Sequence, residues 1–129
     1  LFVDPGDAVV TSAGAYPTFN YHVDGHGGAL HKVPYKDDRE DPDALLAAAK
    51  EHGAKLIYIA NPDNPMGTAH DAAVIQNMIG RVPADTVLCL DEVRCPADGY
   101  HGGQRHPLSD ILKSVRDGGC ADRLRHRRA

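Results

Sequence analysis

The sequence predicts an α/β fold with a mainly parallel sheet. Strand and helix signals alternate along residues 1–93, and the connections between them are short. Two of the strand signals are almost continuously apolar, which is typical of strands that have helices on both faces. Strands that alternate with helices are joined by crossover connections, and such connections produce parallel sheets.

The first part of this region predicts a strand, a helix and a second strand. The β-branched run Ala8–Thr11 predicts the first strand. A helix can then extend as far as Gly25, with Thr18 as a candidate N-cap at its start. Leu30–Val33 predicts the second strand, because a proline follows and closes it.

The next part predicts two helices and two buried strands. Asp41 is a candidate N-cap for a helix over residues 43–52, which Gly53 ends. Residues 55–60 and 86–90 are nearly continuous apolar runs, as in strands buried on both faces. Between these runs, apolar residues recur at helical spacing over residues 71–81. We expect His70 or Asp71 to cap this last helix.

Length and composition fit a single domain. The 129 residues, of which 42% are hydrophobic, are enough to form a core without disulfides or a metal. No stretch approaches the roughly 18 apolar residues that a membrane-spanning helix needs. Three cysteines cannot all pair, and no export leader opens the chain. We therefore expect a cytoplasmic protein, and we interpret the sequence as a piece of a longer one.

Charge divides the chain into two predicted parts. Residues 1–93 carry six Lys or Arg and fourteen Asp or Glu, a balance of −8, whereas residues 94–129 carry eight and four, a balance of +4. The arginine-rich end resembles a nucleic-acid or membrane patch, but no aromatic residues are interleaved with it. We expect a domain over residues 1–93 and a basic tail of uncertain structure over residues 94–129, with neither nucleic acid nor membrane as a partner.

Two predicted strands end in residues that can carry chemistry. The run over residues 55–60 leads into a loop rich in Pro, Gly and Asn that contains Asn64, and the run over residues 86–90 leads into Asp91. The carboxyl ends of parallel strands are the usual ligand-binding edge of such sheets. An aromatic residue such as Phe19 could cover a flat ring there. These three groups would suit a protonated heteroaromatic ligand with a phenolic oxygen, such as pyridoxal phosphate.

Five motifs in this region resemble those of class I and II aminotransferases in order and spacing. The most specific is the Asn-Pro-x-Asn-Pro-x-Gly loop over residues 61–67, which precedes the strand-end pair Asp91-Glu92. The others lie at residues 4–10, 16–21 and 33–35. The resemblance covers about residues 1–93 and is greatest to the histidinol-phosphate aminotransferase-like branch. It implies a partial three-layer α/β/α large domain of a fold type I pyridoxal-phosphate enzyme.

The resemblance also implies roles for three residues toward pyridoxal 5'-phosphate. Asn64 would donate a hydrogen bond to the phenolic oxygen, Asp91 would pair with the pyridinium nitrogen and keep it protonated, and Phe19 would stack on the ring. The implied activity is transfer of an amino group between an amino acid and a 2-oxo acid, as in amino acid biosynthesis. The implied parent enzyme is a homodimer.

The resemblance fades after residue 93. The family continues Asp-Glu-Ala-Tyr, but here Asp91-Glu92 is followed by Val93-Arg94. The family's Schiff-base lysine is expected roughly thirty residues later, and Lys113, the only lysine after Asp91, does not fit its context. The glycine-rich phosphate turn and the substrate-binding arginine also lie outside the sequence. We therefore expect the chain as written, which lacks the Schiff-base lysine, to be inactive.

The change near residue 93 has two explanations. The loss of resemblance coincides with the change of charge, which favours a shift of reading frame, so that residues 94–129 would be translated out of frame. The alternative is a divergent but genuine C-terminal segment, although its low apolar content would contribute little to a core.

Three other functions remain open at this stage. An apolar strand that ends in Asp-Glu also occurs in P-loop ATPases, but the sequence lacks the phosphate-binding Gly-x-x-x-x-Gly-Lys-Ser/Thr motif. His22 and His26 have the spacing of a metal-ligand pair on a helix, although surface histidines are the simpler interpretation. The last alternative is a non-enzymatic α/β interaction module whose basic tail binds the partner.

Overall fold

The computed structural model describes residues 2–92, which form a four-stranded, all-parallel sheet and three helices. The strands are β1 (Ala8–Ser12), β2 (Ala29–Val33), β3 (Leu56–Ala60) and β4 (Val87–Asp91). The helices are α1 (Thr18–Gly25), α2 (Pro42–His52) and α3 (Ala72–Arg81). The predicted α/β class is confirmed, and the ends of each predicted element shift by a single residue at most. None of the three helices is both long and apolar enough to cross a membrane.

The order of the strands is β2-β1-β3-β4, so the chain changes direction across the sheet between β1 and β3. β1 pairs with β2 along its whole length, and β3 pairs with β4 in the same way. Among the described residues, β1 and β3 pair only at Val9–Leu56 and Val10–Ile57. Connections leave such a reversal toward opposite faces of the sheet, which opens a crevice at the carboxyl ends of the two strands.

One face of the sheet is buried under α2 and α3. Ile57 and Ile59 of β3 lie in this core with Leu45 of α2 and Ile75 of α3, and none of the four side chains is exposed to solvent. Complete burial of a large aliphatic side chain stabilises a fold by about 1.5–3 kcal/mol. Side chains alternate between the faces of a strand, so Tyr58 points to the opposite face, on the side of α1.

The ends of α2 follow the sequence prediction. Asp41 caps the helix, because its Oδ1 accepts hydrogen bonds from the N–H groups of Asp43 at 3.0 Å and Ala44 at 3.2 Å. Gly53 ends it with a φ of 59°, in the left-handed region that favours glycine. The helix is thus fixed at both ends by local interactions that a short sequence window contains.

The cap predicted for α1 is wrong, and the one predicted for α3 is right in its position, Asp71, but not in its hydrogen bond. Pro17, not Thr18, occupies the N-cap position of α1, and no side chain caps that helix. Asp71 occupies the N-cap position of α3, but its side chain makes no capping hydrogen bond. The ring of His70 instead contacts a backbone oxygen of Glu40, at 2.8 Å. The first turn of α3 is closed by the backbone, because the Asp71 carbonyl oxygen accepts the N–H groups of Val74 and Ile75.

We expect Asp41→Ala to lower the free energy of unfolding by about 1 kcal/mol, because two N–H groups in the first turn of α2 lose their acceptor. Asp71→Ala is the matched control, since Asp71 occupies the same position on α3 without a capping bond. It should cost less than about half as much. Urea unfolding of the 129-residue chain, followed by circular dichroism, measures both changes. Equal losses would mean that Asp41 acts through its charge and not as a cap.

Candidate functional site

Asp91 is the last residue of β4, and its side chain is exposed at the carboxyl edge of the sheet. Tyr58 of β3 donates a hydrogen bond to it, with 2.6 Å between the phenol oxygen and Asp91 Oδ2. The strand register explains this contact. Ala60 pairs with Asp91, so the side chain of Tyr58, two residues before Ala60, emerges on the same face as Asp91.

The ring of Phe19, on α1, covers the ring of the same tyrosine. The two ring centroids are 4.1 Å apart, and the ring planes are 14° from parallel. Such a stack adds about 0.5–1.5 kcal/mol to the effect of burial alone. Phe19, Tyr58 and Asp91 are therefore in contact as one group, which we call the Tyr58 cluster.

The phenol of Tyr58 is held in its protonated form. Burial raises its pKa well above the ordinary value for tyrosine, and the neighbouring Asp91 carboxylate raises it further. Both effects disfavour a phenolate, which would be poorly hydrated and would lie beside another negative charge. Asp91 Oδ2 thus faces a donor that does not titrate near neutral pH.

Asn64 lies in a loop that is closed at its base; we call residues 61–70 the Asn64 loop. The Asn61 side chain accepts a hydrogen bond from the His70 N–H at 2.8 Å and donates one to the His70 oxygen at 3.2 Å. Within the loop, the Gly67 N–H donates a hydrogen bond to the backbone carbonyl oxygen of Asp63 at 2.9 Å. Gly67 has a φ of 69°, which a residue with a side chain rarely adopts. Asn64 is exposed in the turn between Asp63 and Gly67.

Asp63 attaches the Asn64 loop to the rest of the domain. Its side chain is only 5% exposed, and its two oxygens accept the Tyr35 hydroxyl at 2.9 and 2.8 Å. Burial and the Asp63 carboxylate raise the pKa of Tyr35, so this phenol also stays a donor. Hydrogen bonds to a charged group typically contribute about 1.5–3 kcal/mol. The loop is therefore held by the part-buried hydrogen bond between Tyr35 and Asp63 as well as by its own turns.

Glu40 is a second buried carboxyl group beside this loop, with 2% of its surface exposed. Its Oε2 accepts the Ala60 N–H at 2.9 Å. Its Oε1 and the Ser12 hydroxyl have no hydrogen-bond partner among the described residues. Burial, aided by the charge of Asp63, raises the pKa of Glu40 to about 7. The Ala60 N–H opposes this rise, as does the Ser12 hydroxyl, which lies close to the carboxyl group but outside hydrogen-bonding geometry.

The structure places the three predicted site residues at one edge of the sheet. Phe19 and Asp91 are linked through Tyr58. The Asn64 loop begins next to Asp91, because the Asn61 N–H donates a hydrogen bond to the backbone carbonyl oxygen of Asp91 at 2.8 Å. The sequence prediction did not include Tyr58, although its position between two buried isoleucines is a signal for the opposite face. The roles of Asn64, Asp91 and Phe19 toward a cofactor stay predictions.

The residues considered for a metal site do not form one in the described part of the chain. No group of three potential ligands comes together within residues 2–92. The ring Nδ1 of His26 lies 2.8 Å from the backbone oxygen of His22, so this pair makes a local contact at the end of α1. Burial and the charge of Asp91 raise the pKa of the Cys89 thiol, which disfavours the thiolate that metals bind. Lys113 and the predicted tail over residues 94–129 lie outside the described residues.

Comparison with known proteins gives consistent matches over the same region. The family model for aminotransferase class I and II matches residues 1–93. An aromatic amino acid aminotransferase of Nocardia farcinica is 45% identical over 93 residues, which are 64% of this chain and 26% of that protein. A histidinol-phosphate aminotransferase of Anaeromyxobacter is 37% identical over 121 residues, which are 88% of this chain and 33% of that protein. The latter alignment extends beyond residue 93.

Solved structures match the fold as well. The structure of histidinol-phosphate aminotransferase from Sinorhizobium meliloti, in complex with pyridoxal-5'-phosphate, superposes with a TM-score of 0.67 at 55% sequence identity. The match covers 68% of this chain and 24% of that one. The chain spans about a quarter of the length of the curated relatives that it matches first.

We expect Glu40→Gln to make the stability of the chain less dependent on pH. The pKa of Glu40 is about 7 in the folded chain and 4.5 in the absence of burial. A raised pKa favours folding below pH 4.5, and this contribution is lost as the pH rises through 7. The stability of Glu40→Gln relative to the unchanged chain should therefore increase between pH 5 and pH 8.

Urea unfolding at several pH values measures this difference. Glu51→Gln is the matched control, because Glu51 is an exposed glutamate on α2. Glutamine can still accept the Ala60 N–H through its amide oxygen, so the substitution keeps that hydrogen bond. Parallel pH curves for Glu40→Gln and the unchanged chain would contradict the assignment of a buried, uncharged Glu40 below neutral pH.

Proposed function

The chain belongs to the aminotransferase class I and II family. From this premise we propose that residues 2–92 form the part of a pyridoxal 5'-phosphate enzyme that orients the cofactor ring. The reaction is transfer of an amino group between an amino acid and a 2-oxo acid. The observation that carries the proposal is the placement of Asp91, Phe19 and the Asn64 loop at one carboxyl edge of the sheet. The Sinorhizobium meliloti structure, which contains this cofactor, supports it.

Asp91 has the properties that a partner of the pyridine nitrogen needs. It is exposed at the end of a strand, and its known partner, Tyr58, is bonded to Oδ2, so Oδ1 can accept a further donor. A carboxylate beside the ring nitrogen would hold a proton there, because the opposite charge favours the charged form. When bound, pyridoxal phosphate supplies an electron sink for the carbanion that forms at the α-carbon of the amino acid.

The other two residues would fix the ring in its plane. Phe19, whose ring stacks on the ring of Tyr58, would cover one face of the cofactor ring. Asn64 would donate its amide N–H to the phenolic oxygen, and the closed loop that carries it limits its movement. Both groups fit the proposed ligand chemically, since one is an aromatic surface and the other an uncharged donor.

The proposal extends to the parent enzyme. We propose that it is a homodimeric, cytoplasmic aminotransferase and that the 129-residue chain alone, without a Schiff-base lysine, does not turn over. Two similar proteins are named for histidinol phosphate and for aromatic amino acids, so the proposed substrates are amino acids and 2-oxo acids in general. The comparisons give no support to the ATPase or interaction-module alternatives.

A chimera tests the function directly. Residues 2–92 replace the aligned segment of the Sinorhizobium meliloti enzyme, which supplies the remaining three quarters of an aminotransferase. We expect the chimera to bind pyridoxal 5'-phosphate, measured by its absorbance, and to transaminate histidinol phosphate. A folded chimera that fails to retain the cofactor would refute the proposal.

Single substitutions in this chimera separate the three roles. Asp91→Asn should lower kcat by about a hundredfold or more, because the charge that stabilises the pyridinium is lost. Asn64→Ala should weaken cofactor binding by about tenfold, the effect of one hydrogen bond to a charged oxygen. Phe19→Leu should weaken cofactor binding by less than Asn64→Ala does, about severalfold, which corresponds to the energy of one aromatic stack.

Tyr21→Phe is the control for these variants. Tyr21 is on the same helix as Phe19 and is largely exposed, so loss of its hydroxyl should leave cofactor binding and kcat unchanged. Full activity of Asp91→Asn would contradict the role proposed for Asp91. Equal losses in Tyr21→Phe and Phe19→Leu would mean that the helix, and not the Phe19 ring, is responsible.

A further inference from the structure

The segment over residues 35–40, which joins β2 to α2, contacts the Asn64 loop near both of its ends. At the far end, a backbone oxygen of this segment lies 2.8 Å from the ring Nε2 of His70. Near the start, the hydroxyl of Tyr35 donates to the carboxylate of Asp63. Asp63 is the residue directly before the asparagine that is assigned to the phenolic oxygen of the cofactor. Tyr35 itself has no role in the proposed function so far.

We propose that Tyr35 is a positioning residue for Asn64: the hydrogen bond from its hydroxyl to Asp63 holds the Asn64 loop in the place from which the Asn64 amide donates to the cofactor. The inference rests on the proposed function of Asn64. It assigns to Tyr35 no contact with the cofactor or with the substrate.

The ring of Tyr35 packs against the backbone of Gly14, two residues after the end of β1. A Cβ atom added to Gly14 would lie 2.9 Å from Cζ of Tyr35, the ring atom that carries the hydroxyl, and 3.1 Å from both neighbouring ring carbons. Non-bonded carbon atoms prefer a separation of about 3.5–4.0 Å, so a side chain at position 14 would displace the ring. Glycine therefore leaves the space through which the hydroxyl reaches Asp63.

The backbone is fixed on both sides of Tyr35. Before it, the carbonyl oxygen of Val33, the last residue of β2, accepts an N–H from the chain after β1 at 2.8 Å. After it, Lys36 and Arg39 exchange two backbone hydrogen bonds of 2.9 and 3.1 Å, which close a tight turn. A phenol on such a support can hold its partner in one place.

The burial of Asp63 makes this contact important for the position of the loop. Its side chain is 5% exposed, and both of its oxygens accept the Tyr35 hydroxyl, at 2.9 and 2.8 Å. A buried carboxylate that loses such a donor can replace it with water only if it moves toward the surface. Because Asp63 directly precedes Asn64, this movement would carry the amide away from the cofactor.

The competing interpretation is that the contact between Tyr35 and Asp63 stabilises the fold and does nothing else. The loop has other attachments, since the Asn61 side chain bonds to the backbone of His70 at its base. If these attachments were sufficient, loss of the Tyr35 hydroxyl would lower the free energy of unfolding but leave the loop in place. The two interpretations therefore differ in how the loop and the cofactor respond.

The first experiment measures amide hydrogen exchange in the 129-residue chain by NMR. The Gly67 N–H reports the loop, because its hydrogen bond closes the turn around Asn64. We expect Tyr35→Phe to speed its exchange about tenfold relative to the slowest N–H groups of β3, the ratio that corresponds to one hydrogen bond to a charged group. Gly14→Ala should have the same effect, because it displaces the ring but changes neither bonded residue.

Tyr21→Phe and Gly25→Ala are the matched controls. Tyr21 is largely exposed, and a Cβ atom at Gly25 would meet nothing within 4 Å. Neither substitution should change the exchange of the Gly67 N–H relative to β3. Unchanged exchange in Tyr35→Phe would refute the anchoring on which the inference depends.

The second experiment uses the chimera with the Sinorhizobium meliloti enzyme and its bound pyridoxal 5'-phosphate. The absorbance of the bound cofactor changes with pH when the proton beside its phenolic oxygen is lost. A hydrogen bond from Asn64 favours the charged oxygen, so Asn64→Ala should raise the pH of this change. Tyr35→Phe should raise it by a smaller amount, and it should add nothing in the Asn64→Ala background. Asp63→Asn, which keeps an acceptor oxygen, should raise it less than Asp63→Ala does.

The outcomes distinguish the inference from the function. A shift in Asn64→Ala without one in Tyr35→Phe would refute the positioning role while the proposed function stands. Additive shifts would also refute it, because Tyr35 would then act on the cofactor by a route other than Asn64. A folded chimera that lacks the cofactor would contradict the proposed function and the positioning role with it, although the exchange measurement would still show whether Tyr35 holds the loop.

Discussion

The pairing of β3 with β4 is the interaction on which the candidate site depends. Five consecutive residues of each strand are in register, from Leu56–Val87 to Ala60–Asp91. This register places Asp91 two positions beyond Tyr58 on the same face, and it places the start of the Asn64 loop beside Asp91. A slip of one residue would turn Asp91 into the core and separate all three groups. The apolar contacts of Ile57 and Ile59 with α2 and α3 prevent such a slip, because they fix which face of β3 is buried.

The second constraint is the burial of polar groups near the Asn64 loop. Glu40 and Asp63 are almost completely buried, and Glu40 contacts the end of β3 at Ala60. A buried carboxyl group destabilises a domain unless hydrogen bonds compensate for its lost hydration. Asp63 is compensated by Tyr35, and Glu40 partly by the Ala60 N–H. The domain thus accepts a local destabilisation at the edge where a ligand would bind, as is common at functional sites.

The sequence predicted the secondary structure well because its determinants are local. Apolar runs identify β3 and β4, and Asp41 and Gly53 define α2 through interactions with neighbouring residues. Asp91, Asn64 and Phe19 could be selected because strand ends and loop composition are visible in the sequence. Tyr58 could be assigned to a face but not to a stack, since its contact with Phe19 depends on where α1 packs. Glu40 lies shortly before a helix, a position from which the sequence predicts exposure. It is buried because it contacts Ala60 of β3 and His70 of the Asn64 loop, which are distant in the sequence.

Glu40 also has a consequence for the hydrogen bonding of β3. The Asn61 N–H points to β4, so the Ala60 N–H, one residue earlier, points toward β1. There it meets the Glu40 carboxyl group in place of a neighbouring strand. β1 and β3 pair at only two positions among the described residues, so at Ala60 a side-chain carboxyl oxygen stands where a main-chain carbonyl would otherwise accept the N–H. The hydrogen bonding of this edge of β3 is thus completed by a residue twenty positions earlier in the chain, and a residue at position 40 that cannot accept a hydrogen bond would leave the Ala60 N–H without this acceptor.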